Sequence, residues 1–344
     1  PEVLVVTRQG RIFCLKGSSG EILWNATTPA DLKWGTTILA TGDVDNDGQP
    51  EIVLGDEAGN VVCLRGTGEQ LWVAKTSLGT VLCPSIADLD GDSKAEILVS
   101  GDKMPLLCLS AEGQELWHLT GGIGGSPFVY NIDGQGGPEI LIGVGAELRV
   151  LDNKGKMLWS SPLKREMDSA LAIADANGDG EVEIYVADLS GYFACISAKG
   201  QLRWTGDVEE RVRRSPSIGD VDGDGINEIL VAGYSSAIHV FDPDGRLEVR
   251  VPLPSGSNST ATLAQLGDAG LCVVVSTVSN GLHALRWPNT KADAQVLWPE
   301  FRYDARRTGT ITAGAPQSPI NMTADFGPMH VGANPVKVTV ENPE

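Results

Sequence analysis

The sequence is poor in the residues on which many catalytic and soft-metal centres depend. Its 344 residues include six cysteines and four histidines, and aromatic residues make up 6%. The histidines, His118, His239, His283 and His330, are scattered along the chain. No His-x-x-x-His, Gly-x-Ser-x-Gly or P-loop motif is present. We therefore expect no zinc centre, no nucleophilic triad and no nucleotide-phosphate loop.

Positive charge and long apolar runs are also scarce. The chain has 26 Lys and Arg against 45 Asp and Glu, which gives a formal net charge of -19. Phosphate binding needs clustered Lys and Arg, so a nucleic-acid partner is not expected. No run approaches the roughly 18 apolar residues that span a bilayer. The chain opens on strand-like residues 1–6 without a signal peptide, so we interpret it as a processed or excised piece.

An acidic repeat dominates the rest of the sequence. Its glutamates are Glu51, Glu96, Glu139, Glu183 and Glu228, separated by 45, 43, 44 and 45 residues. Glu2 lies 49 residues before the first of them and Cys272 lies 44 residues after the last, which makes seven units. A period of about 40–50 residues with β-rich runs fits a propeller blade of four short strands. The sequence therefore predicts an all-β, seven-bladed β-propeller over residues 1–313.

The two chain ends carry further predictions. The first unit lacks its innermost strand, and residues 306–312 resemble residues 213–218, which begin another unit. We expect this C-terminal strand to complete the first blade beside residues 3–6 and so to close the ring. Residues 314–319 are rich in Gly, Pro and Ser and indicate a linker. Residues 320–344 are then a β-rich tail, either a strap or the start of a following β-sandwich.

Each acidic loop has the spacing of a metal site. Acids fall at positions 1, 3, 5 and 9, and Gly usually occupies position 6. Alternate residues of a tight loop can point oxygens at one centre, and calcium takes six to eight oxygens. An EF-hand, however, places its last glutamate at position 12 between helices, whereas strand residues follow position 9 here. The pattern favours a strand–loop–strand calcium site, and magnesium is disfavoured because it tolerates crowded protein cages poorly.

The loops differ in quality, and we expect about four or five calcium sites. The predicted ligands, at positions 1, 3, 5, 7 and 9, are Asp43, Asp45, Asp47, Gln49 and Glu51; Asp88, Asp90, Asp92, Lys94 and Glu96; Asn131, Asp133, Gln135, Gly137 and Glu139; Asp175, Asn177, Asp179, Glu181 and Glu183; and Asp220, Asp222, Asp224, Ile226 and Glu228. The second set has Ser93 at position 6, and the third has only two carboxylates and is the weakest. Residues 265–270 are a shortened copy without an expected metal.

Two signatures resemble known families. The Asp-x-Asp-x-Asp-Gly-x-x-Glu-Ile loops resemble FG-GAP/VCBS repeats, as in integrin α-chain propellers and many secreted bacterial proteins. Overlapping Gly-x-x-x-Trp turns resemble those of quinoprotein (PQQ-like) propellers. These turns begin at Gly20, Gly68, Gly113, Gly155 and Gly200 and end on Trp24, Trp72, Trp117, Trp159 and Trp204. We expect the tryptophans to pack between sheets, and no PQQ, because equivalent positions around a ring do not converge on one cofactor.

Four cysteines share one repeat position. Cys14, Cys63, Cys108 and Cys195 stand where other units have Val or Ala. Such interchange indicates a small buried core position rather than disulfides.

A candidate ligand face lies on the side opposite the calcium loops. Rare positive charge and aromatic residues collect there: Lys164, Arg165, Arg211, Arg213, Arg214, Trp34, Tyr192 and Tyr234. They could bind a glycan or protein ligand. The alternative is solvated surface charge paired with Glu166, Glu209 and Glu210.

Three functions remain open from the sequence. The leading hypothesis is a non-catalytic calcium-binding module of a secreted, cell-surface or periplasmic protein, a monomer used in adhesion or recognition. A carbohydrate-active enzyme such as a polysaccharide lyase is the first alternative, and a scaffold domain is the second. The units are short and even, without the long insertions that carry catalytic residues in propeller lyases, so an enzyme is less favoured.

Overall fold

A computed structural model describes residues 2–32, 38–168, 171–266, 271–279, 281–287, 290 and 294–299, with the backbone of five short strands after residue 309. Every regular element in these residues is a β-strand. No helix with the length and hydrophobicity of a membrane crossing occurs among them. The chain divides into two compact units, residues 1–160 with 306–312 and residues 161–305 with 313–344.

The first unit contains four antiparallel sheets, each built from consecutive strands. They are β1 (Glu2–Val6), β2 (Arg11–Lys16) and β3 (Ile22–Thr27); β4 (Ala40–Gly42), β5 (Glu51–Gly55), β6 (Asn60–Leu64) and β7 (Gln70–Lys75); β8 (Ser85–Ala87), β9 (Glu96–Val99), β10 (Leu106–Leu109) and β11 (Glu115–Leu119); and β12 (Phe128–Tyr130), β13 (Glu139–Gly143), β14 (Glu147–Leu151) and β15 (Met157–Pro162).

The second unit contains three more sheets of the same design. They are β16 (Leu171–Ala174), β17 (Glu183–Ala187), β18 (Tyr192–Ser197) and β19 (Leu202–Asp207); β20 (Ser217–Gly219), β21 (Glu228–Ala232), β22 (Ala237–Phe241) and β23 (Leu247–Pro252); and β24 (Thr262–Gln265), β25 (Leu271–Thr277) and β26 (Gly281–Leu285). A further strand, β27 (Val296–Trp298), pairs with β20.

Burial separates the strands of each sheet. The second strands, such as β5 and β21, are buried along their whole length, as expected of apolar runs covered on both faces. The last strands, such as β3 and β19, alternate between half-buried and exposed residues. The second to sixth sheets share this gradient. Seven consecutive sheets of this design are propeller blades, so the predicted all-β, seven-bladed propeller is confirmed.

The Gly-x-x-x-Trp turns connect neighbouring blades. The Trp24 indole Nε1 donates to the Gly66 carbonyl at 2.9 Å, and Trp72 Nε1 donates to the Ala111 carbonyl at 2.8 Å. A Cβ added at Gly68 would lie 2.6 Å from the Trp24 ring, so only glycine fits beneath it. The predicted packing between sheets is confirmed for Trp24, Trp72, Trp117 and Trp204.

The repeated cysteine position faces the same tryptophans. Cys14 pairs with Trp24 across the sheet, and Cys63 pairs with Trp72. All six cysteines are buried and free. Burial raises the pKa of the Cys63 thiol to about 12, so it stays protonated at neutral pH. The interpretation of this position as a small buried core site is confirmed.

The closing strand does not lie where the sequence predicted. Strand β28 (Thr310–Ile311) pairs with β12 of the fourth sheet in parallel, and in the described residues β1 pairs only with β2. The innermost strands of several sheets present an unpaired edge of the same kind. The likeness of residues 306–312 to a blade-opening segment indicated a strand, but it could not select the edge.

Four short strands follow in the tail. Strand β29 (Ile320–Asn321) lies beside β24 and β32 (Thr339–Glu341) lies beside β26, both parallel. Strands β30 (His330–Val331) and β31 (Asn334–Pro335) form a separate pair. The division of the chain at residue 313 into propeller and tail stays a prediction.

Candidate calcium loops and ligand face

The glutamate at position 9 is held in the same way in each acidic loop. One carboxylate oxygen accepts the backbone N–H of position 2, at 2.9 Å from Val44 to Glu51 and at 2.8 Å from Val221 to Glu228. The equivalent bonds reach Glu96, Glu139 and Glu183. Each of these glutamates also begins the second strand of its blade, so the rigid sheet sets where the second carboxylate oxygen points.

Two backbone positions in each loop are left-handed. Position 6 has a positive φ in all five loops, at Gly48, Ser93, Gly136, Gly180 and Gly225. Position 4 also has a positive φ in all five loops, at Asn46, Gly91, Gly134, Gly178 and Gly223. The sequence reasoning identified position 6 and missed position 4. The signal for position 4 was the Gly that four loops share there. The remaining loop, 43–51, has Asn, which tolerates this conformation best among larger residues.

Backbone amides hold the first carboxylate of the loop. The two oxygens of Asp43 accept the N–H groups of Asp47 and Gly48 at 3.1 and 2.9 Å. Asp175 does the same with Asp179 and Gly180. The position-7 amide donates to the position-5 carboxylate, as Ile226 does to Asp224 at 2.7 Å. These bonds shape the loop and leave the remaining lone pairs for a cation.

Three loops bring carboxylates together tightly enough for one ion. In each of three groups, one oxygen from each residue lies within 4.8 Å of the others. The groups are Asp43, Asp45 and Glu51; Asp88, Asp90 and Glu96; and Asp220, Asp222 and Glu228. Positions 1, 3 and 9 form these groups, and position 5 is outside them. The buried oxygens Asp45 Oδ1 and Glu51 Oε1 have no hydrogen-bond partner among the described residues. An all-oxygen set with unpaired buried oxygens fits calcium.

The other two loops have weaker sets. In the fifth blade, Asn177 Nδ2 donates to Glu183 Oε1 at 3.1 Å and to Asp179 Oδ2 at 3.2 Å, which places an amide between the carboxylates. In the fourth blade, Asp133 and Glu139 are the two carboxylates, and the buried Asn131 Oδ1 has no partner among the described residues. The shortened copy at residues 265–270 lies mostly outside the described residues.

Burial raises the pKa of all five position-9 glutamates, and neighbouring loop carboxylates raise it further. The pKa reaches about 7 for Glu183 and about 8 for Glu228. A buried carboxylate beside other carboxylates is costly to ionise unless a cation compensates it. The loops are therefore electrostatically poised to take up positive charge.

The predicted ligand face brings cations onto aromatic rings. Lys164 Nζ lies 4.7 Å from the centre of the Tyr192 ring, and Arg211 Cζ lies 5.4 Å from the centre of the Tyr234 ring. Both distances are typical of cation–π contacts. Tyr192 and Tyr234 lie at the ends of their blades away from Glu183 and Glu228, as predicted. Trp34 lies outside the described residues.

A fully buried aspartate joins the two loops of this face. Asp188 Oδ2 accepts the backbone N–H groups of Lys164 and Arg165 at 3.0 and 2.7 Å. The Asp188 carbonyl accepts the N–H of Val212, next to Arg211. Asp56 and Asp102 anchor equivalent loops through Ala30 and Thr80. Sequence reasoning missed these aspartates, although Asp56 and Asp188 directly follow the second strand of their blades and Asp102 is the third residue after its own.

The remaining cations of the face are paired with acids. Arg165 lies 3.8 Å from Glu166, and Arg213 lies 3.6 Å from Asp168. Burial raises the pKa of Asp168, and the positive charges of Arg214 and Arg213 oppose that shift. Paired surface charge, the alternative, therefore describes Arg165 and Arg213, whereas Lys164 and Arg211 lie over aromatic rings.

Comparisons with known proteins agree with the propeller fold. Residues 43–99 match the model of the FG-GAP-like repeat, and residues 145–216 match that of the lambda-carrageenase β-propeller domain. The protein is a β-propeller that contains an FG-GAP-like repeat at residues 43–99. The first match contains the loops of the second and third blades, and the second contains most of the ligand face. The likeness to quinoprotein turns stays a prediction.

Solved structures share the fold of this β-propeller at low sequence identity. Sqt1 of Saccharomyces cerevisiae is 13% identical with a TM-score of 0.63, over 87% of this chain and 81% of that one. The computationally designed protein Ika8 is 15% identical with a TM-score of 0.61, over 87% and 80%. The exotype rhamnogalacturonan lyase YesX is 15% identical with a TM-score of 0.60, over 87% and 60%. No curated protein matches the chain.

Proposed function

We propose that this propeller is a non-catalytic, calcium-binding recognition module of a secreted, cell-surface or periplasmic protein. Its ligand is a glycan or a protein, bound on the face that carries Lys164, Tyr192, Arg211 and Tyr234. The observation that carries the proposal is the pair of cation–aromatic contacts on two loops joined by buried Asp188. The proposal includes a monomer outside the cytoplasm, where calcium is concentrated enough to fill loops that bind at about 10⁻⁴–10⁻³ M.

Tyrosine and arginine supply much of the binding energy at protein recognition surfaces, because their large planar groups lose little entropy on binding. Here each ring is already ordered by a cation, so the pre-formed surface has less entropy to lose. Cations concentrated in a chain of net charge -19 also favour an anionic or polar ligand at this place.

Calcium has a supporting role in this proposal. Without a cation, the carboxylates within each of the three tight groups repel one another, beside the second strand of their blade. Binding of the ion couples loop order to blade stability. The ions therefore keep the blades rigid while the opposite ends of the strands present the ligand face.

The second candidate function is a carbohydrate-active enzyme such as a polysaccharide lyase. It is favoured by one observation, the match of residues 145–216 to a lambda-carrageenase propeller domain. That segment contains Lys164 and Tyr192, whose side chains are of the types that transfer protons in catalysis. A scaffold between neighbouring domains is the third candidate.

A glycan array and a polysaccharide cleavage assay, each with and without EDTA, separate these functions. We expect binding to one glycan class without cleavage, and weakening by about tenfold in a Lys164→Ala, Arg211→Ala double variant. Lys154→Ala is the matched control, since its exposed side chain lies in the fourth blade. Cleavage of any uronic-acid polymer would overturn the recognition proposal, and an absence of both activities would favour the scaffold.

A further inference from the structure

Five blades carry a β-bulge at one repeat position in their last strand. The ladder shifts register just before the Gly-x-x-x-Trp tryptophan or its replacement, so one residue has no cross-strand partner. The bulged residues are Leu23, Leu71, Leu116, Arg203 and Glu248. A bulge re-aims a side chain and is often found beside functional sites. Three blades have leucine here, while the fifth and sixth have opposite charges.

In the sixth blade, the bulged Glu248 lies beside its own acidic loop. Glu248, Asp222 and Glu228 line one cavity of about 310 Å³. The cavity also borders Val249, which stands where five other blades have the tryptophan, so the smaller side chain leaves room beside the loop. A leucine–tryptophan pair in the second blade corresponds to a glutamate–valine pair here.

Glu228 supplies a second observation at this cavity. Its side chain is 2% exposed, and only its Oε2 accepts a hydrogen bond among the described residues, from Val221. Its other oxygen is available to a cation in the cavity that Glu248 also lines. One oxygen of Glu248 lies 3.6 Å from Arg246 Nη2, which leaves the second oxygen of Glu248 for a ligand bond.

In the fifth blade, the same position carries the opposite charge. Arg203 Nη2 lies 3.6 Å from Glu181 Oε2, at position 7 of its own loop, and its charge also acts on Glu183. The amide of Asn177 already lies between Glu183 and Asp179. The guanidinium charge of Arg203 and the hydrogen bonds donated by the neutral Asn177 amide thus take over part of what a metal ion would do for these carboxylates.

We propose that the bulged residue sets the calcium affinity of its own blade: Glu248 adds a carboxylate ligand to loop 220–228, and Arg203 opposes calcium binding at loop 175–183. Carboxylate count tunes the affinity of calcium loops, and a cation near the site repels the ion. Loop 220–228 is then the tightest site and loop 175–183 among the weakest. This inference rests on the calcium binding proposed above.

Reciprocal charge changes in the full chain test the proposal. Calcium titration calorimetry should show that Glu248→Arg weakens the tightest site of the natural chain by about 10- to 100-fold. Arg203→Glu should gain affinity at a weak site. Glu248→Leu and Arg203→Leu are matched controls, because leucine occupies this position in three other blades, and each should fall between the natural residue and the reversed charge.

A double variant keeps the test specific to the sixth loop. In an Asp222→Asn background, Glu248→Arg should have a much smaller effect on calcium affinity, because both side chains act on one ion. An undiminished effect in that background, or unchanged affinity in Glu248→Arg, would overturn the inference. Complete absence of calcium binding to the natural chain would instead overturn the proposed function. Melting in EDTA identifies any variant that merely unfolds. If Glu248→Arg unfolds, Glu248→Gln takes its place in the test.

Discussion

The acidic loops of the fourth and sixth blades share a backbone and differ in charge. In both, positions 4 and 6 are left-handed and the position-2 amide binds the position-9 glutamate. The sixth loop has carboxylates at positions 1, 3, 5 and 9, whereas Asp133 and Glu139 are the only two in the fourth. The loop shape therefore does not depend on a complete ligand set. The folding of the loop and its proposed metal binding can therefore be tested separately.

Removal of calcium should have the largest effect. Each occupied site stabilises the folded state by about 2.7 kcal/mol when free calcium is 100 times its Kd. Three tight carboxylate groups should therefore make the melting temperature rise steeply up to about 10 mM calcium, since extracellular sites bind at about 10⁻⁴–10⁻³ M. Thermal melting against calcium concentration measures this rise, with magnesium as the control. A melting temperature that does not respond to calcium would contradict the metal assignment.

Truncation of the position-9 glutamate should destabilise the chain by different amounts in the sixth and fourth blades. Glu228→Ala removes a metal ligand and the acceptor of the Val221 N–H, and we expect a loss of about 4 kcal/mol in calcium. Glu139→Ala removes mainly the acceptor of the Ile132 N–H and should cost about 1–3 kcal/mol. Urea unfolding with calcium and with EDTA measures both losses. The difference between the variants should shrink in EDTA, and a difference that persists there would show that it has no metal origin.

The metal-free protein should lose stability as the pH rises. The pKa of Glu228 is about 8 in the folded chain, above its ordinary value of 4.5, so the folded state binds this proton more tightly. The stabilisation is then complete below about pH 4.5 and is lost as the pH passes through about 8. Calcium affinity should change in the opposite direction, since the ion competes with the proton.

Thermal melting in EDTA, measured between pH 5 and pH 9 in steps of about one unit, measures this loss of stability. Glu228→Gln cannot ionise and should flatten the profile. Glu139→Gln should flatten it less, because beside burial only the charge of Asp133 raises the pKa of Glu139, whereas several carboxylates raise that of Glu228. Identical profiles for Glu228→Gln and the natural chain would contradict the assignment.

The smallest effect concerns the loop backbone. Ser93 has φ 75° at position 6, where Gly48 has φ 85°. A left-handed conformation costs a non-glycine residue about 1 kcal/mol, so Ser93→Gly should stabilise the chain and Gly48→Ser should destabilise it by about that amount. A Cβ at Gly48 meets no atom within 4 Å, so the effect is confined to the backbone. Urea unfolding in EDTA checks both; equal signs for the two variants would contradict the argument.

The repeat allowed much of this architecture to be predicted. The 43- to 45-residue spacing of the glutamates predicted the blades, and alternating carboxylates predicted the groups at positions 1, 3 and 9. These features are local, since nine residues contain a whole loop. The left-handed residue at position 4 was missed, although the Gly that four loops share there, with Asn46 in the loop 43–51, was a local signal for it.

Other features depended on contacts between distant segments. Thr310 pairs with Val129 rather than with the first sheet, because several innermost strands offer similar edges. Lys164 reaches Tyr192 only because Asp188 holds their loops together. The register shift in β23 places Glu248 beside Asp222. The sequence by itself determined the number of blades and the carboxylate groups at positions 1, 3 and 9, because those depend on local spacing. Tertiary structure decided which strand edge, ring and outside charge each segment meets, because sheet pairing and blade packing bring together residues that share no local pattern.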